Sequence, residues 1–275
     1  MKYTNSSIRY VFKNLWYIAL LSVLPGLCLS AMARVDDTQS FFINLFTGKL
    51  NQIEWTHIFN TFSIYNFKSV WHALFSLFSF LVIVLCASLL LAMIDKHMRI
   101  GKRTLNGIFL KLNDNVVSTA LIAFLFSVIY EVWTLLFSAL AYAVFVAVPN
   151  LAVQYILFAI LLLVGGAALL YVIALFYLWL PCMQITGFAL FEALRYSNQI
   201  TEKVKRRLIG SMLLSLVVGH IFIIPACVFL EPILVHAVML VVYMFYFMLF
   251  VVRMEIVYFD AAQLDREDLK KNYHD

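Results

Sequence analysis

One acidic residue, Glu131, lies deep inside a long apolar stretch of the sequence and is the first candidate for chemistry. Ser127, Thr134 and Ser138 recur around it at spacings of four, three and four residues, which places all four side chains on one face of a helix. A carboxylate at the centre of a membrane span costs about 2.5–3.5 kcal/mol to insert, so it is expected to face the protein interior. This polar stripe is typical of a proton or cation relay, of a polar substrate pocket, or of a hydrogen-bonded acid that fixes helix packing.

Two further residues extend this stripe to a predicted polar cluster within the membrane. His220 lies about 18 Å along its own predicted helix, at a depth comparable to that of Glu131. Tyr243 belongs to the helix that follows. A contact between Glu131 and His220 would suit a relay, and these two residues carry the transport interpretation.

Motifs of catalysis and of metal binding are missing from the sequence. It contains no GxSxG, HExxH or GxxxxGK[ST] pattern. The six histidines and four cysteines are scattered and show no ligand spacing. We therefore expect no catalytic residue, no bound metal and no cofactor, and an intramembrane lipid enzyme is the least favoured class.

The composition identifies the elements that must position these residues. Hydrophobic residue types make up 64% of the 275 residues, charged types only 13%, and the mean hydropathy is +0.93. These values exclude a soluble enzyme, a secreted disulfide scaffold and a disordered chain. The sequence predicts an all-α polytopic membrane protein forming a single domain. Its six predicted transmembrane helices cover about 14–33, 70–94, 116–147, 151–180, 208–230 and 233–259, followed by a short tail over 260–275.

The distribution of basic residues gives these helices a direction. All but three of the 20 lysines and arginines lie before the first span, in the second and fourth loops, or at and after the end of the sixth span. The positive-inside rule therefore places both termini in the cytoplasm, and we expect a plasma membrane, multi-pass protein of bacterial type. The net charge of +5 is explained by topology and by anionic headgroups, so no nucleic acid partner is expected.

The loops are amphipathic, and we expect interfacial helices in three of them. Two lie in the cytoplasmic loops, over about 98–115 and 187–207, and the first outer loop over 34–69 carries the others. Arg253, near the inner end of the last span, is expected to extend towards the headgroups. The basic residues expected to contact lipid headgroups are Lys102, Arg103, Lys205, Arg206 and Arg207.

Small residues mark two predicted positions of close helix packing. Ser211, Ser215 and Gly219 are spaced by four residues in the fifth span, which places them on one helix face. Gly165 and Gly166 lie side by side in the fourth span. We expect these residues to let neighbouring helices approach closely.

The cytoplasmic loops also carry a resemblance to a known family. A basic stretch, Arg99–Thr104, precedes the third span; the element Ala193-Leu194-Arg195-Tyr196-Ser197 precedes the fifth; and the sixth ends in Val257-Tyr258-Phe259-Asp260. Over roughly residues 95–260, this pattern resembles bacterial six-helix membrane proteins related to the membrane domain of glycerophosphodiester phosphodiesterases. The resemblance implies six helices and a membrane role without catalysis, because the phosphodiesterase of that family is a separate soluble domain. No functional residue is carried over from it.

These observations lead to two main expectations about function. The first is a non-catalytic accessory or assembly subunit in membrane, envelope or lipid physiology. Its partners would be anionic headgroups on the cytoplasmic side and either a protein partner or a second copy of the chain. The alternative is a small secondary transporter or permease subunit that uses Glu131 and His220.

Overall fold

The computed structural model describes residues 2–101 and 108–270, and all regular structure within these ranges is helical. Helices are numbered here in chain order. They are α1 (Lys2–Lys13), α2 (Leu15–Met32), α3 (Val35–Phe46), α4 (Trp55–Phe62), α5 (Val70–Ile100), α6 (Ile108–Ala147), α7 (Leu151–Phe176), α8 (Trp179–Thr186), α9 (Leu190–Phe229) and α10 (Pro232–Ala261). Short 3-10 turns at Leu50–Gln52 and Glu267–Leu269 complete the described structure.

Six of these helical segments are long and apolar enough to cross a membrane, which confirms the predicted all-helical fold and the number of such helices among the described residues. They are α2, α5, α6 from Asn115 onwards, α7 with α8, α9 and α10. The bounds differ most in the fifth span. The segment 190–207, expected to be a separate helix, is continuous with the span, so α9 runs unbroken over 40 residues.

Helix boundaries have local causes. The Ser69 hydroxyl accepts a hydrogen bond from the backbone of His72 at the start of α5, and the Asn150 side chain accepts two from the first turn of α7. Pro232 opens α10, where its missing N–H costs nothing. At the other end of α5, Gly101 adopts a left-handed conformation with φ of 74° and stops the helix.

The buried core divides into two clusters at opposite ends of the helical bundle. At the end we call the loop-capped end, α3 and α4 contribute buried aromatic and aliphatic side chains such as Phe41 and Ile58. These side chains pack with Phe137 of α6 and Met239 of α10. At the opposite end, the terminal end, α1 packs with the last turns of α5 and α10. The segment between the first two spans is therefore part of the folded core.

Helix α1 is docked on the bundle by polar contacts as well as by packing. The Lys2 ammonium lies 2.6 Å from the Asp260 carboxylate, and the Tyr3 hydroxyl donates to the same carboxylate at 2.6 Å. The hydroxyls of Thr4 and Ser211 are 2.8 Å apart. The beginning of α1 and the end of α10 consequently lie side by side at the terminal end.

Candidate functional site

The carboxylate of Glu131 is held by the segment that follows α4. The Ser63 hydroxyl lies 3.0 and 3.2 Å from its two oxygens and 2.9 Å from the Tyr65 carbonyl oxygen. The backbone N–H groups of Ile64 and Tyr65 donate to Oε1 at 2.8 and 3.2 Å. Glu131 therefore accepts hydrogen bonds from the segment in which the chain passes from α4 to α5. We call residues 62–65 the latch segment.

Two other members of the polar stripe also hold the latch segment. The Tyr65 hydroxyl donates to Ser127 at 2.8 Å, and the Thr134 hydroxyl donates to the Phe62 carbonyl at 3.3 Å. Ser138 donates instead to Leu135 within its own helix. The latch residues were not predicted, because their only signal in the sequence is a break in the apolar pattern between Phe62 and Val70.

A cation lies close to this cluster without forming an ion pair with Glu131. Arg34, between α2 and α3, is partly buried, and its Nε has no hydrogen-bond partner among the described residues. Burial lowers the pKa of Arg34, while the nearby carboxylates of Asp37 and Glu131 raise it. Asp37 in turn accepts a hydrogen bond of 2.7 Å from Asn60 of α4. Arg34 and two acidic residues therefore lie close together at the loop-capped end.

The structure contradicts the predicted contact between Glu131 and His220, whose side chains bond to different partners. His220 is exposed; its Nδ1 lies 2.8 Å from the Leu216 carbonyl and 3.3 Å from the Tyr246 hydroxyl. The Tyr243 ring lies 6.4 Å from the ring of Tyr246. The described hydrogen bonds of the Glu131 carboxylate all go to the latch segment, because a returning loop supplies backbone donors that no helix face can offer.

An apolar groove lies between α1, α9 and α10. Its volume is about 810 Å³, and it is half-enclosed. It runs from Thr4 in α1 to Leu230 and Leu234 beside the turn between α9 and α10. Aliphatic and aromatic side chains form its walls, among them Val11, Phe12, Val218, Phe222, Val241 and Phe245.

The predicted packing residues of α9 lie beside this groove, which we call the α9–α10 groove. Ser211 contacts Thr4, and Ser215 accepts a hydrogen bond from Arg253. Gly219 faces the Tyr246 hydroxyl so closely that a Cβ at this position would lie 2.1 Å from the oxygen. The three residues thus contact α1 and α10, each in a different way.

The two glycines of α7 behave differently from each other. The Trp133 indole donates to the Gly165 carbonyl at 2.8 Å, and a Cβ on Gly165 would lie 3.5 Å from the indole nitrogen. A Cβ on Gly166 would meet no atom within 4 Å. Close packing at Gly166 is therefore not found among the residues that the structure describes.

Arg253 does not extend towards the membrane surface, contrary to expectation. The residue is only 2% exposed. Its Nη2 donates to the Ser215 hydroxyl, its Nε has no hydrogen-bond partner, and it forms no ion pair within the described residues. A single arginine in an apolar helix gives no signal of burial in the sequence, and this residue was missed as a site.

The basic residues expected at headgroups fall into three groups. Lys205 lies 3.2 Å from the Tyr171 hydroxyl and over the same ring, while Arg206 and Arg207 are exposed. Lys102 and Arg103 lie outside the described residues. Their contact with lipid remains a prediction.

Comparison with known proteins adds no assignment. No protein-family model, curated protein or solved structure matches the chain. The resemblance to the glycerophosphodiester phosphodiesterase membrane domain therefore stays a prediction. Within residues 2–101 and 108–270, no three histidine, cysteine, aspartate or glutamate side chains are grouped so that they could hold a metal ion.

Proposed function

We propose that this chain is a non-catalytic, multi-pass protein of a bacterial plasma membrane that binds a membrane lipid in the α9–α10 groove. In this proposal it acts as an accessory or assembly subunit in lipid or envelope physiology. The observation that carries the proposal is the groove itself, whose volume of about 810 Å³ lies in the range of ligand sites, about 300–1,000 Å³.

The chemistry of the groove walls supports a lipid chain as the occupant. The few hydroxyl groups on the walls bond to the protein: Tyr246 donates to the Leu216 carbonyl at 2.9 Å, and Thr4 pairs with Ser211. The remaining surface is aliphatic and aromatic. A ligand in this groove therefore gains apolar contact and finds almost no free polar partner, as an acyl chain would.

The charges at the terminal end support a cytoplasmic orientation for that end. Arg206 and Arg207 are exposed on α9, close to the point where α1 begins. Exposed arginines at this position suit the anionic headgroups of the cytoplasmic leaflet. A protein partner or a second copy of the chain would bind from the same membrane, as expected for an accessory subunit.

We favour lipid binding over the transport alternative because of Glu131. A relay needs a carboxylate that can exchange its partners, and this carboxylate accepts hydrogen bonds from a hydroxyl and two backbone N–H groups of one loop. His220, its proposed partner, bonds instead to α9 and α10. This arrangement supports a structural role for the acid.

The proposal can be tested by filling the groove. Val218 and Ala237 line it and are exposed, so the double variant Val218→Trp, Ala237→Trp should occupy it without disturbing the core. Native mass spectrometry of the full chain in mild detergent measures the lipid that stays bound. We expect retained lipid to fall about tenfold, corresponding to about 1.4 kcal/mol of binding free energy.

The matched control places a tryptophan on an exposed surface outside the groove. Leu163 on α7 is 71% exposed, and Leu163→Trp should leave lipid retention unchanged. If the groove-filled variant keeps as much lipid as the parent protein, the proposed function is wrong.

A further inference from the structure

We infer that Arg253 binds the acidic headgroup of the groove ligand, and that this ligand is a long-chain carboxylic acid from the bilayer. The inference rests on the proposed lipid-binding function and adds the chemical class of the lipid. It is carried by one feature, a buried guanidinium in contact with the groove wall.

The first step is the state of the charge. Arg253 is 2% exposed, yet it forms no ion pair within the described parts of the chain. Its Nη2 has a neutral partner, Ser215, and its Nε has none. A guanidinium cannot lose its proton under ordinary conditions, and a buried charge without a counter-ion is costly. An anion that arrives from outside the chain would remove this cost.

The guanidinium of Arg253 lies next to the α9–α10 groove, behind Ser215. Ser215 lines the α9–α10 groove, and its hydroxyl is the acceptor for Nη2. The same hydroxyl donates to the Ser211 carbonyl at 3.1 Å, so it keeps a partner when Nη2 turns to a ligand. A carboxylate at this point of the wall would take one hydrogen bond from Nη2 and a second from Nε. This two-point arrangement is the preferred geometry of arginine with a carboxylate.

The third step is the size of the headgroup. Arg253 lies eight residues before the end of α10, about 12 Å along the helix. A bulky hydrated headgroup at that depth would have to enter the apolar part of the groove. A carboxylate attached directly to an apolar chain has no further polar part to solvate, and the walls beyond Ser215 contain the apolar surface that its chain requires.

The experiment compares two probes with the same chain. Dibrominated stearic acid and its methyl ester quench tryptophan fluorescence on contact, and Val241→Trp places a reporter in the groove wall of the full chain. The unsubstituted chain supplies the background from its own five tryptophans. We expect the acid to bind at least about tenfold more tightly than the ester, because only the acid can pair with the guanidinium.

Three variants in the reporter chain assign this preference to Arg253. Arg253→Gln should lower acid affinity to that of the ester and leave ester affinity unchanged, whereas Arg253→Lys should retain a preference for the acid. Ser215→Ala removes the competing acceptor and should raise acid affinity about threefold or more. Lys203→Gln, which removes an exposed charge on α9, is the matched control and should change neither affinity.

The outcomes separate this inference from the proposed function. If the parent chain binds acid and ester equally, or if Arg253→Gln keeps the preference, the headgroup assignment is overturned while groove binding stands. If Arg253→Gln fails to fold, Ser215→Ala tests the headgroup assignment in its place. A fall in the affinity of Ser215→Ala for the acid then overturns that assignment. Folded reporter protein that is quenched by neither probe overturns the proposed function itself.

Discussion

Glu131 and Arg253 are both charged side chains within membrane-spanning helices, and the chain treats them in opposite ways. Glu131 accepts hydrogen bonds from Ser63 and from two backbone N–H groups of the latch segment, with Arg34 nearby. Among the described residues, Arg253 has one hydrogen-bond partner, the neutral hydroxyl of Ser215 beside the α9–α10 groove. An intramembrane charge alone therefore does not mark a functional site. The two residues differ in how completely the chain supplies hydrogen-bond partners for the charge.

Substitutions of Glu131 and Arg253 should change the free energy of unfolding in opposite directions. Removing a charge whose partners belong to the same chain leaves those partners unsatisfied and destabilises the fold. Removing a charge that has no counter-ion in the chain relieves a cost and affects binding instead.

Glu131→Ala should have the largest effect, a loss of about 3 kcal/mol in unfolding free energy, because the latch segment loses the acceptor for two backbone N–H groups and a hydroxyl. Glu131→Gln keeps one oxygen acceptor and should cost less. Denaturant unfolding in mild detergent measures the loss, and faster hydrogen exchange at Ile64 and Tyr65 would locate it. Ser138→Ala on the same helix is the control, since Ser138 bonds only within α6. Equal losses in Glu131→Ala and Ser138→Ala would contradict the latch.

Gly219→Ala should cost about 1–3 kcal/mol, because the new methyl group would overlap the Tyr246 hydroxyl and phenol ring. In a Tyr246→Leu background the same change should cost little, and this double-mutant cycle attributes the strain to the pair. Gly210→Ala is the matched control on α9, since a Cβ there would meet no atom within 4 Å. A comparable loss in both glycine variants would indicate that helix propensity or flexibility, rather than close packing, is responsible.

Tyr65→Phe should cost about 1 kcal/mol at neutral pH through loss of its hydrogen bond to Ser127. Burial raises the pKa of Tyr65, and the Glu131 carboxylate raises it further, while the Ser127 hydrogen bond lowers it. The folded chain therefore holds the phenol proton more tightly than the unfolded chain. This contribution to stability is present below about pH 10, the usual pKa of tyrosine, and is lost as the pH rises through the raised pKa.

Unfolding measured across alkaline pH tests this linkage. The free energy of unfolding should decline with pH more gradually in Tyr65→Phe than in the parent chain. Tyr142→Phe, an exposed change on α6, should leave the slope as it is. An identical slope in Tyr65→Phe and the parent chain would mean that Tyr65 is not linked to folding in this range.

Arg253→Met should have the smallest effect on unfolding and the opposite sign to that of Glu131→Ala. In protein stripped of lipid, its stability should be unchanged or raised by about 1 kcal/mol, because an uncompensated buried charge is replaced by an apolar side chain. Thermal unfolding of delipidated protein is the measurement. A large loss of stability would show that the guanidinium is satisfied inside the chain, and the contrast with Glu131 would disappear.

The six long apolar helices could be predicted from the sequence, because the membrane imposes their length. Without water, the backbone must form helices over about 20 apolar residues, and an acid at that depth must face inwards. The partner of Glu131 could not be read in the same way. Ser63 and Tyr65 reach it only after α3 and α4 have folded back on α6, and such tertiary contacts have no period in the sequence.

Two further residues show the same limit. Arg253 was expected to reach the surface, but its side chain bonds to Ser215 of α9 and is buried. Gly26 had no spacing pattern that would indicate close packing. In the structure, a Cβ on Gly26 would lie 3.0 Å from the Met244 Cβ and 3.1 Å from the Leu240 carbonyl oxygen, so this glycine sets the approach of α2 to α10.

The docking of α1 on α10 has a consequence for biogenesis. Tyr3 and its partner Asp260 are 257 residues apart. At about 5–20 residues per second, a ribosome needs roughly 13–50 s to synthesise the chain between them. During that interval α1 cannot reach its final neighbours on α10, while its apolar face is already made. The first helix of the described chain therefore completes its packing only after the last one has been made.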